Sequence, residues 1–204
     1  PTCSRPPPEP PARLSRPAVR SYLDHCSSAP LRPEARAAMA EAIEVAAADA
    51  SRLHTEALEV RYRIEVARQQ VAGLLGARPS EVVFTSSATE ALNTAVAGLV
   101  RRTPGPVVVT AAEHRAVTDA AAAWTAIAAA DDPERVVTVG IGPDGRVTPD
   151  AVLAAVDALV ADGRPPALVA CQLANHEVGA LHPVREIAAA LAERGVPLVV
   201  DAAQ

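Results

Sequence analysis

Residues 106–117 have the sequence PVVVTAAEHRAV, and this stretch decides the fold. Its first half is a short valine-rich run without alternating polar residues, which is typical of a strand that is buried on both faces. The small and polar residues after Thr110 predict a loop, and the alanine-rich sequence from Ala116 predicts a helix. A buried strand that leads directly into a helix is the building unit of an α/β protein.

The same alternation of strand and helix recurs on both sides of this stretch. The predicted strands are part of 21–30, Val82–Thr85, 106–111, 135–139, 167–174 and 196–203. One predicted helix begins at about Pro33, and the others span 55–75, 89–100, 116–129, 150–160 and 184–195. This order predicts an α/β sandwich of three layers with a mainly parallel sheet, in which ligands bind at the carboxyl ends of the strands.

Composition excludes several classes of protein. The 204 residues are 50% apolar but only 2% aromatic, and their net charge is −5. Arginines are interspersed with acidic residues, so no basic stripe for nucleic acid is expected. Cys3, Cys26 and Cys171 form neither an even disulfide framework nor a CxxC spacing, which favours a cytoplasmic protein without a metal site. No apolar run is long enough to span a membrane.

The two ends of the chain differ from the rest. Residues 1–20 are rich in proline and arginine, which predicts a disordered tail and not a secretion signal, since no continuous apolar segment is present. The chain has no initiator Met, and it ends at Gln204 directly after an apolar strand. These features predict a fragment, or one half of a split enzyme.

The segment FTSSATEALN (84–93) places small side chains where a helix is predicted to begin. Backbone N–H groups near Ala88 could approach an anion there, and the Thr89 hydroxyl could bind phosphate oxygens. A purely structural explanation is also open. Ser87 followed three residues later by Glu90 is the pattern of a capping box.

Two further candidates follow predicted strands. His114 comes after the strand 106–111, where an imidazole could stack on a flat cofactor and exchange protons, or could simply be a solvated loop residue. Asp201 lies at the end of the last strand. A carboxylate there could pair with a pyridinium nitrogen, or could cap the next element.

Two loops contain further patterns. Asn175, His176 and Glu177 form a polar cluster after the strand 167–174, although a structural turn would explain Gly179. Residues 140–145, GIGPDG, match the dinucleotide-binding pattern GxGxxG literally. However, the sequence PDG predicts a turn, and RVTPD follows where the helix of that motif should begin.

Taken in order, these segments resemble the NifS/IscS-type cysteine desulfurases of the class V aminotransferase superfamily. VVFTSSATEALN is similar to that family's FTSGATEANN, TAAEHRAV to T-x-x-E-H-x-A-V, ANHEVGALHPVREI to NNE-x-G-x-x-x-P-I-x-x-I, and VDAAQ to D-A-x-Q. YLDHCSSAP and SRLHTEA also resemble segments near the start of the family. The resemblance implies a large domain like that of aspartate aminotransferase, incomplete at its C-terminus.

The resemblance also implies pyridoxal 5'-phosphate as the cofactor. The residues that it assigns to the cofactor are Ala88, Thr89, His114, His176, Asp201 and Gln204. Ala88 and Thr89 would hold the phosphate, Asp201 would pair with the pyridine nitrogen, and Gln204 would bond the phenolic oxygen.

His114 is the catalytic residue that the resemblance implies within this chain, because the family's histidine stacks on the ring and takes part in proton transfer. His176 stands where the family usually has an asparagine that contacts the cofactor. The cofactor-binding lysine, the substrate-binding arginine and the nucleophilic cysteine of the family are expected beyond Gln204. None of the three cysteines of this chain lies at the nucleophile's position.

The implied reaction moves sulfur from L-cysteine to an enzyme persulfide and releases L-alanine. The implied partners are the amino-acid substrate, a second copy in a homodimer and a sulfur-acceptor protein. Other class V activities stay open, namely selenocysteine lyase, cysteine lyase and aminotransferase, as does a non-catalytic truncated or split half. Residues 21–54 are expected to pack with the small domain of such an enzyme, and 55–204 to form the cofactor-binding large domain.

Overall fold

The computed structural model of the chain describes residues 21–45, 48–128 and 135–204. The predicted tail, residues 1–20, therefore lies outside the described residues. The described chain divides into two compact units, of which the first ends at Glu44 and the second starts at Val45. The packing of residues 21–54 with a small domain stays a prediction.

The first unit contains almost all of helix α1 (Pro33–Val45), which begins at the predicted proline. The short strand predicted within residues 21–30 is wrong. The backbone N–H groups of Ser27 and Ser28 both donate to the Asp24 carbonyl, so the segment folds into a local turn. A turn of this kind takes up polar groups that a strand would have offered to a neighbour.

The second unit contains the alternating elements. They are α2 (Thr55–Leu75), a short 3₁₀ turn (Pro79–Glu81), α3 (Ala88–Arg102), β1 (Val107–Thr110), α4 (Arg115–Ala128), β2 (Val136–Val139), α5 (Pro149–Ala161), β3 (Leu168–Gln172), α6 (Val184–Glu193) and β4 (Leu198–Asp201). Helix α2 ends as predicted because Gly76 adopts φ 65°, a left-handed conformation that glycine reaches without a steric penalty.

The four strands form one parallel sheet in the order β2-β1-β3-β4. Thr110 lies opposite Val139, and Gln172 lies opposite Asp201, so the carboxyl ends of the strands form one edge. Helices cover both faces, which confirms the predicted α/β sandwich with a parallel sheet.

Alternate residues of each strand contribute to two different cores. Val107 and Val109 of β1 pack in a core with residues of α3 and α4, whereas Val108 packs in a second core with residues of α5 and α6. In β3, Leu168 belongs to the first core and Val169 to the second. Both faces of the central strands are therefore buried, which explains why these strands are apolar at successive positions.

The strand predicted at Val82–Thr85 is wrong, and the structure gives the physical reason. The Val82 carbonyl accepts a hydrogen bond from the guanidinium of Arg68 instead of from a neighbouring strand. The same guanidinium lies 5.0 Å from the centroid of the Phe84 ring, and the Val83 side chain is 74% exposed. Apolar β-branched residues favour a strand, but a ladder also needs a partner.

The turn predicted at residues 140–145 is confirmed. The Gly142 N–H donates to the Arg146 carbonyl, and the Gly145 N–H donates back to the Gly142 carbonyl. Helix α5 begins only at Pro149, after Thr148 accepts a hydrogen bond from the Ala151 N–H. A helix N-terminus does not follow the glycines directly, as dinucleotide binding would require.

Candidate functional site

The candidate site has two parts that are built differently. The first, the helix-start segment, is residues 86–90, where α3 begins. The second, the sheet-edge loops, comprises residues 111–114 after β1 and 173–182 after β3. Because α3 ends shortly before β1 begins, the helix runs antiparallel to the strands and its first turn points toward their carboxyl ends.

The helix-start segment is closed by two side chains. Ser87 is the N-cap of α3, and its hydroxyl accepts a hydrogen bond of 3.2 Å from the Glu90 N–H. The Glu90 carboxylate does not return to Ser87, as a capping box would require, but accepts the Ser86 N–H at 2.7 Å and the Ser86 hydroxyl at 2.6 Å. These two hydrogen bonds, the hydroxyl first, lower the pKa of the Glu90 carboxyl group.

Capping leaves donors available at the start of α3. The first N–H groups of a helix have no partner within the helix, and Ser87 caps only that of Glu90. The N–H groups of Ala88 and Thr89 therefore point out of the helix start, and both residues are exposed. Together with the Thr89 hydroxyl they suit an anion such as phosphate, so the structural and the functional explanations of this segment are compatible.

His114 lies directly before α4, and its ring is held by the helix start. The Ala116 N–H donates to the His114 Nδ1 at 3.1 Å, and the Val117 N–H donates to the His114 carbonyl at 2.9 Å. Because Nδ1 is the acceptor, the neutral ring carries its proton on Nε2. The imidazole is exposed at the carboxyl edge of the sheet, as the sequence predicted.

The other loop brings His176 to His114. The two ring centroids are 5.6 Å apart, and the rings meet edge to face at 64°. Asn175 fixes this loop, because its Oδ1 accepts the N–H groups of Glu177 and Val178, each at 2.9 Å. Its Nδ2 donates to the Ala112 carbonyl at 3.3 Å and so joins the two sheet-edge loops.

Glu113 is a site residue to which sequence reasoning gave no role. Its Oε1 accepts the Thr110 hydroxyl at 2.7 Å and the backbone N–H of Gln172 at 2.8 Å. Its Oε2 is buried and has no hydrogen-bond partner among the described residues. Burial raises the pKa of Glu113 and the nearby Asp201 adds to this, while the two hydrogen bonds oppose it. Its place directly after a buried strand was the available signal.

Asp201 and Gln204 lie at the same edge. Asp201 is the last residue of β4, opposite Gln172, and its Oδ1 accepts the Ala203 N–H at 3.0 Å. Gln204 follows three residues beyond the end of the strand and is exposed. The Gln172 side chain is buried, and its Nε2 has no partner in the described part of the chain. The edge therefore holds polar atoms that ordinary core packing does not explain.

Two other residues of this edge are structural. Cys171 is buried in β3, as predicted, and burial, followed by the nearby Glu113, raises the pKa of its thiol to about 12. Its thiolate form is therefore disfavoured at neutral pH. His182 is also buried. Its Nδ1 accepts the Val147 N–H at 3.3 Å, and burial, followed by the charge of Arg146, lowers its pKa.

A pocket of about 290 Å³ lies between the sheet-edge loops and the turn after β2. It is lined by Ala111, Ala112, Glu113, Ile141, Gly145, Asn175, His176, Glu177 and Val178. The structure thus brings His176 and His114 together, and Glu113 near Asp201. Within the described ranges, no hydrogen bond or ring contact joins Ala88 or Thr89 to either histidine.

No group of three or more His, Cys, Asp or Glu side chains in 21–45, 48–128 and 135–204 could hold a metal ion. In the same ranges, no helix is both long enough and apolar enough to cross a membrane.

Comparison with known proteins identifies the family. Residues 21–204 match the model of the aminotransferase class-V family. An IscS-like cysteine desulfurase from Mycobacterium tuberculosis is 38% identical over 186 residues, which cover 90% of this chain and 46% of that protein. A cysteine desulfurase from Frankia is 35% identical over 189 residues, covering 90% of this chain and 44% of the relative.

Solved structures agree with this match. The structure of SspA in complex with cysteine superposes with a TM-score of 0.74 at 26% identity, over 91% of this chain and 51% of SspA. A NifS-like protein at 24% identity shares the fold with a TM-score of 0.75, over 90% of this chain and 48% of its own. The chain spans about half the length of the relatives that it matches. It belongs to the class-V aminotransferase family.

Proposed function

We propose that this chain forms most of the cofactor-binding domain of a pyridoxal-phosphate-dependent cysteine desulfurase. The enzyme moves the sulfur atom of L-cysteine to a cysteine thiolate of the enzyme, which becomes a persulfide, and releases L-alanine. The two relatives known as cysteine desulfurases, and the cysteine in the SspA complex, support this substrate. The observation that carries the proposal is the pair of imidazoles, 5.6 Å apart, at the carboxyl edge of the sheet, the edge at which Asp201 also lies.

The side chains present suit pyridoxal phosphate. The N–H groups of Ala88 and Thr89 and the Thr89 hydroxyl would hold the phosphate. The Asp201 carboxylate would pair with the pyridine nitrogen, and Gln204 would bond the phenolic oxygen. When bound, the cofactor withdraws electrons from the bonds at the substrate's α-carbon. The buried polar atoms of Glu113 and Gln172 below this edge also favour a polar occupant over a purely structural surface.

His114 would stack on the ring and move protons. Its Nδ1 is occupied by the Ala116 N–H, so the neutral imidazole presents Nε2–H to the site. In this tautomer Nε2 donates a hydrogen bond. To move a proton at Nε2, the ring would release the Ala116 N–H and carry its resting proton on Nδ1, so that Nε2 can take a proton and give it back. His176 would contact the cofactor in place of the family's asparagine, as a larger donor whose charge can change.

The covalent attachment of the cofactor needs a residue from elsewhere. These 204 residues contain 19 arginines and no lysine. The lysine, the substrate-binding arginine of the family and the nucleophilic cysteine would come from residues outside this sequence. We further propose a cytoplasmic homodimer that passes its sulfur to an acceptor protein.

The test uses the chain together with the residues that follow it in its reading frame. The purified product should bind pyridoxal phosphate, seen by visible absorption, and should release equal amounts of alanine and sulfur from L-cysteine. Reduction with borohydride should fix the cofactor to a lysine outside these 204 residues. If no alanine forms, the proposal is wrong, and assays with L-selenocysteine and with amino donors then distinguish the other class V activities.

His114→Ala should lower kcat roughly 100-fold or more, because general acid–base catalysis contributes on that order, while cofactor loading changes little. Arg115→Ala is the matched control, since this neighbouring side chain is 87% exposed and pairs only on the surface. Equal loss of turnover and of cofactor loading in His114→Ala would contradict the proton-transfer role.

A further inference from the structure

The Glu113 carboxyl group occupies an unusual position for an acidic side chain. It follows β1 by three residues, yet its Oε1 reaches the backbone N–H of Gln172, which is 59 residues away at the end of β3. The same oxygen also accepts the Thr110 hydroxyl. One oxygen atom therefore ties the loop 111–114 both to its own strand and to the neighbouring strand.

The second carboxyl oxygen makes this arrangement costly. Oε2 is buried without a partner among the described residues, and a buried acceptor that is not hydrogen-bonded destabilises the folded chain. Burial and the nearby Asp201 both raise the pKa of this group. An apolar side chain would avoid these costs, but it could not accept the two hydrogen bonds.

The loop that Glu113 ties down carries His114 as its next residue. Among the described residues, one side-chain hydrogen bond joins the two sheet-edge loops directly. It runs from Asn175 to the Ala112 carbonyl and, at 3.3 Å, is longer than the hydrogen bond from the Gln172 N–H to Glu113. The contact between the His114 and His176 rings therefore depends on how firmly residues 111–114 are held against the end of β3.

We propose that Glu113 is a positioning residue, whose carboxyl group holds residues 111–114 against β3 and thereby sets the place of the His114 imidazole beside His176. The contact between the imidazoles is a property of the chain without its cofactor. The consequence for turnover rests on the proposed function, since it requires that His114 faces the bound ring.

The first test measures the nuclear Overhauser effect between the ring protons of His114 and His176 in the chain without cofactor. The effect should be present in the wild type and in Glu113→Gln, because a glutamine Oε1 can accept both hydrogen bonds. It should be lost in Glu113→Ala. Asp119→Ala is the control, since this α4 carboxylate is exposed and should leave the effect unchanged.

A second variant covers the case in which Glu113→Ala does not fold. Glu113→Asp keeps the acidic group but shortens the side chain by one methylene, so it cannot reach both donors and the effect should also be lost. An unchanged effect in either Glu113→Asp or a folded Glu113→Ala would overturn the proposal.

In the enzyme assembled with the residues that follow, Glu113→Asp should lower kcat roughly 100-fold with little change in KM, because a displacement of about 1 Å can cost that much. Glu113→Gln should restore most of the rate. An unchanged kcat in Glu113→Asp would also overturn the proposal. If the wild type neither binds pyridoxal phosphate nor converts L-cysteine, the proposed function fails. The nuclear Overhauser effect between the two imidazoles then decides the role of Glu113 by itself.

Discussion

Glu90 in the helix-start segment and Glu113 in the sheet-edge loops each accept two hydrogen bonds on one carboxyl oxygen, yet their pKa values move in opposite directions. Glu90 is exposed, and the two donors of Ser86 lower its pKa. Glu113 is half-buried with its Oε2 atom in the interior, so the loss of water outweighs its two donors and raises its pKa. The surroundings of a carboxyl group decide its charge more than its number of donors does.

The same two residues also differ in the range of their contacts. Glu90 bonds a residue four positions away, and its N–H bonds Ser87, three positions away. Glu113 bonds a residue 59 positions away, and Asn175 bonds one 63 positions away. The helix-start segment can therefore form whenever α3 forms, whereas the sheet-edge loops need the assembled sheet.

The largest expected effect on stability is that of Asn175→Ala. This change removes the hydrogen bond to the Ala112 carbonyl and the Oδ1 atom that accepts the N–H groups of both Glu177 and Val178, so the free energy of unfolding should fall by about 2–3 kcal/mol. Urea unfolding followed by circular dichroism measures it.

Asn93→Ala is the matched control for that change, because Asn93 accepts a single side-chain hydrogen bond, from the Trp124 indole. Its loss should cost about 1 kcal/mol. If the two alanine variants lose equal stability, the three hydrogen bonds of Asn175 contribute no more than the single one of Asn93.

A change of pH should have an intermediate effect on the free energy of unfolding, and the sign of this effect differs between the two glutamates. The raised pKa of Glu113 means that its contribution to stability is full below its ordinary value of 4.5 and is lost as pH rises through the folded-state pKa. Glu113→Gln does not titrate, so its stability relative to the wild type should increase as pH rises from about 4.5 toward neutrality.

Glu90→Gln should show the reverse. Because the pKa of Glu90 is lowered, its contribution is present above 4.5 and is lost as pH falls through the folded-state pKa. The stability of Glu90→Gln relative to the wild type should therefore decrease as pH rises. Urea unfolding of both variants between acidic and neutral pH measures the two slopes, and slopes of equal sign would refute the contrast.

The smallest expected effect is that of the cap. Ser87→Ala removes the hydroxyl that accepts the Glu90 N–H, which should cost about 1 kcal/mol, and Ser87→Gly should cost only a few tenths. Thermal unfolding of the two variants compares them. A loss in Ser87→Ala larger than that in Asn175→Ala would reverse the order of the two halves.

Local features of the fold were predictable from the sequence. The bounds of α2 follow from its apolar positions and from Gly76, and the start of α1 follows from Pro33. The cap on α3 was also predictable, because Ser87 and the Glu90 N–H are three residues apart. Features of this kind depend on atoms within one turn of helix.

Features that depend on distant residues were not predictable. Val82–Thr85 has the composition of a strand, but the Arg68 side chain and not a neighbouring strand meets its backbone. The role of Glu113 depends on its hydrogen bond from the Gln172 N–H, 59 residues away. The contact of His114 with His176 depends on how two separate loops fold. In the sequence, His114 and His176 could be placed at one edge, but their distance could not be derived.

The strand order β2-β1-β3-β4 also determines when the contacts of these segments can form while the chain is being synthesised. A ribosome that adds about 5–20 residues per second makes Glu113 roughly 3–12 s before Gln172, the 59th residue after it. During that interval β1 can pair with β2, and α3 can cap itself, while the loop before α4 still lacks its anchor. The nascent chain can therefore complete the capped start of α3 first, and it can align its two imidazoles only after β3 has emerged and Gln172 is available to Glu113.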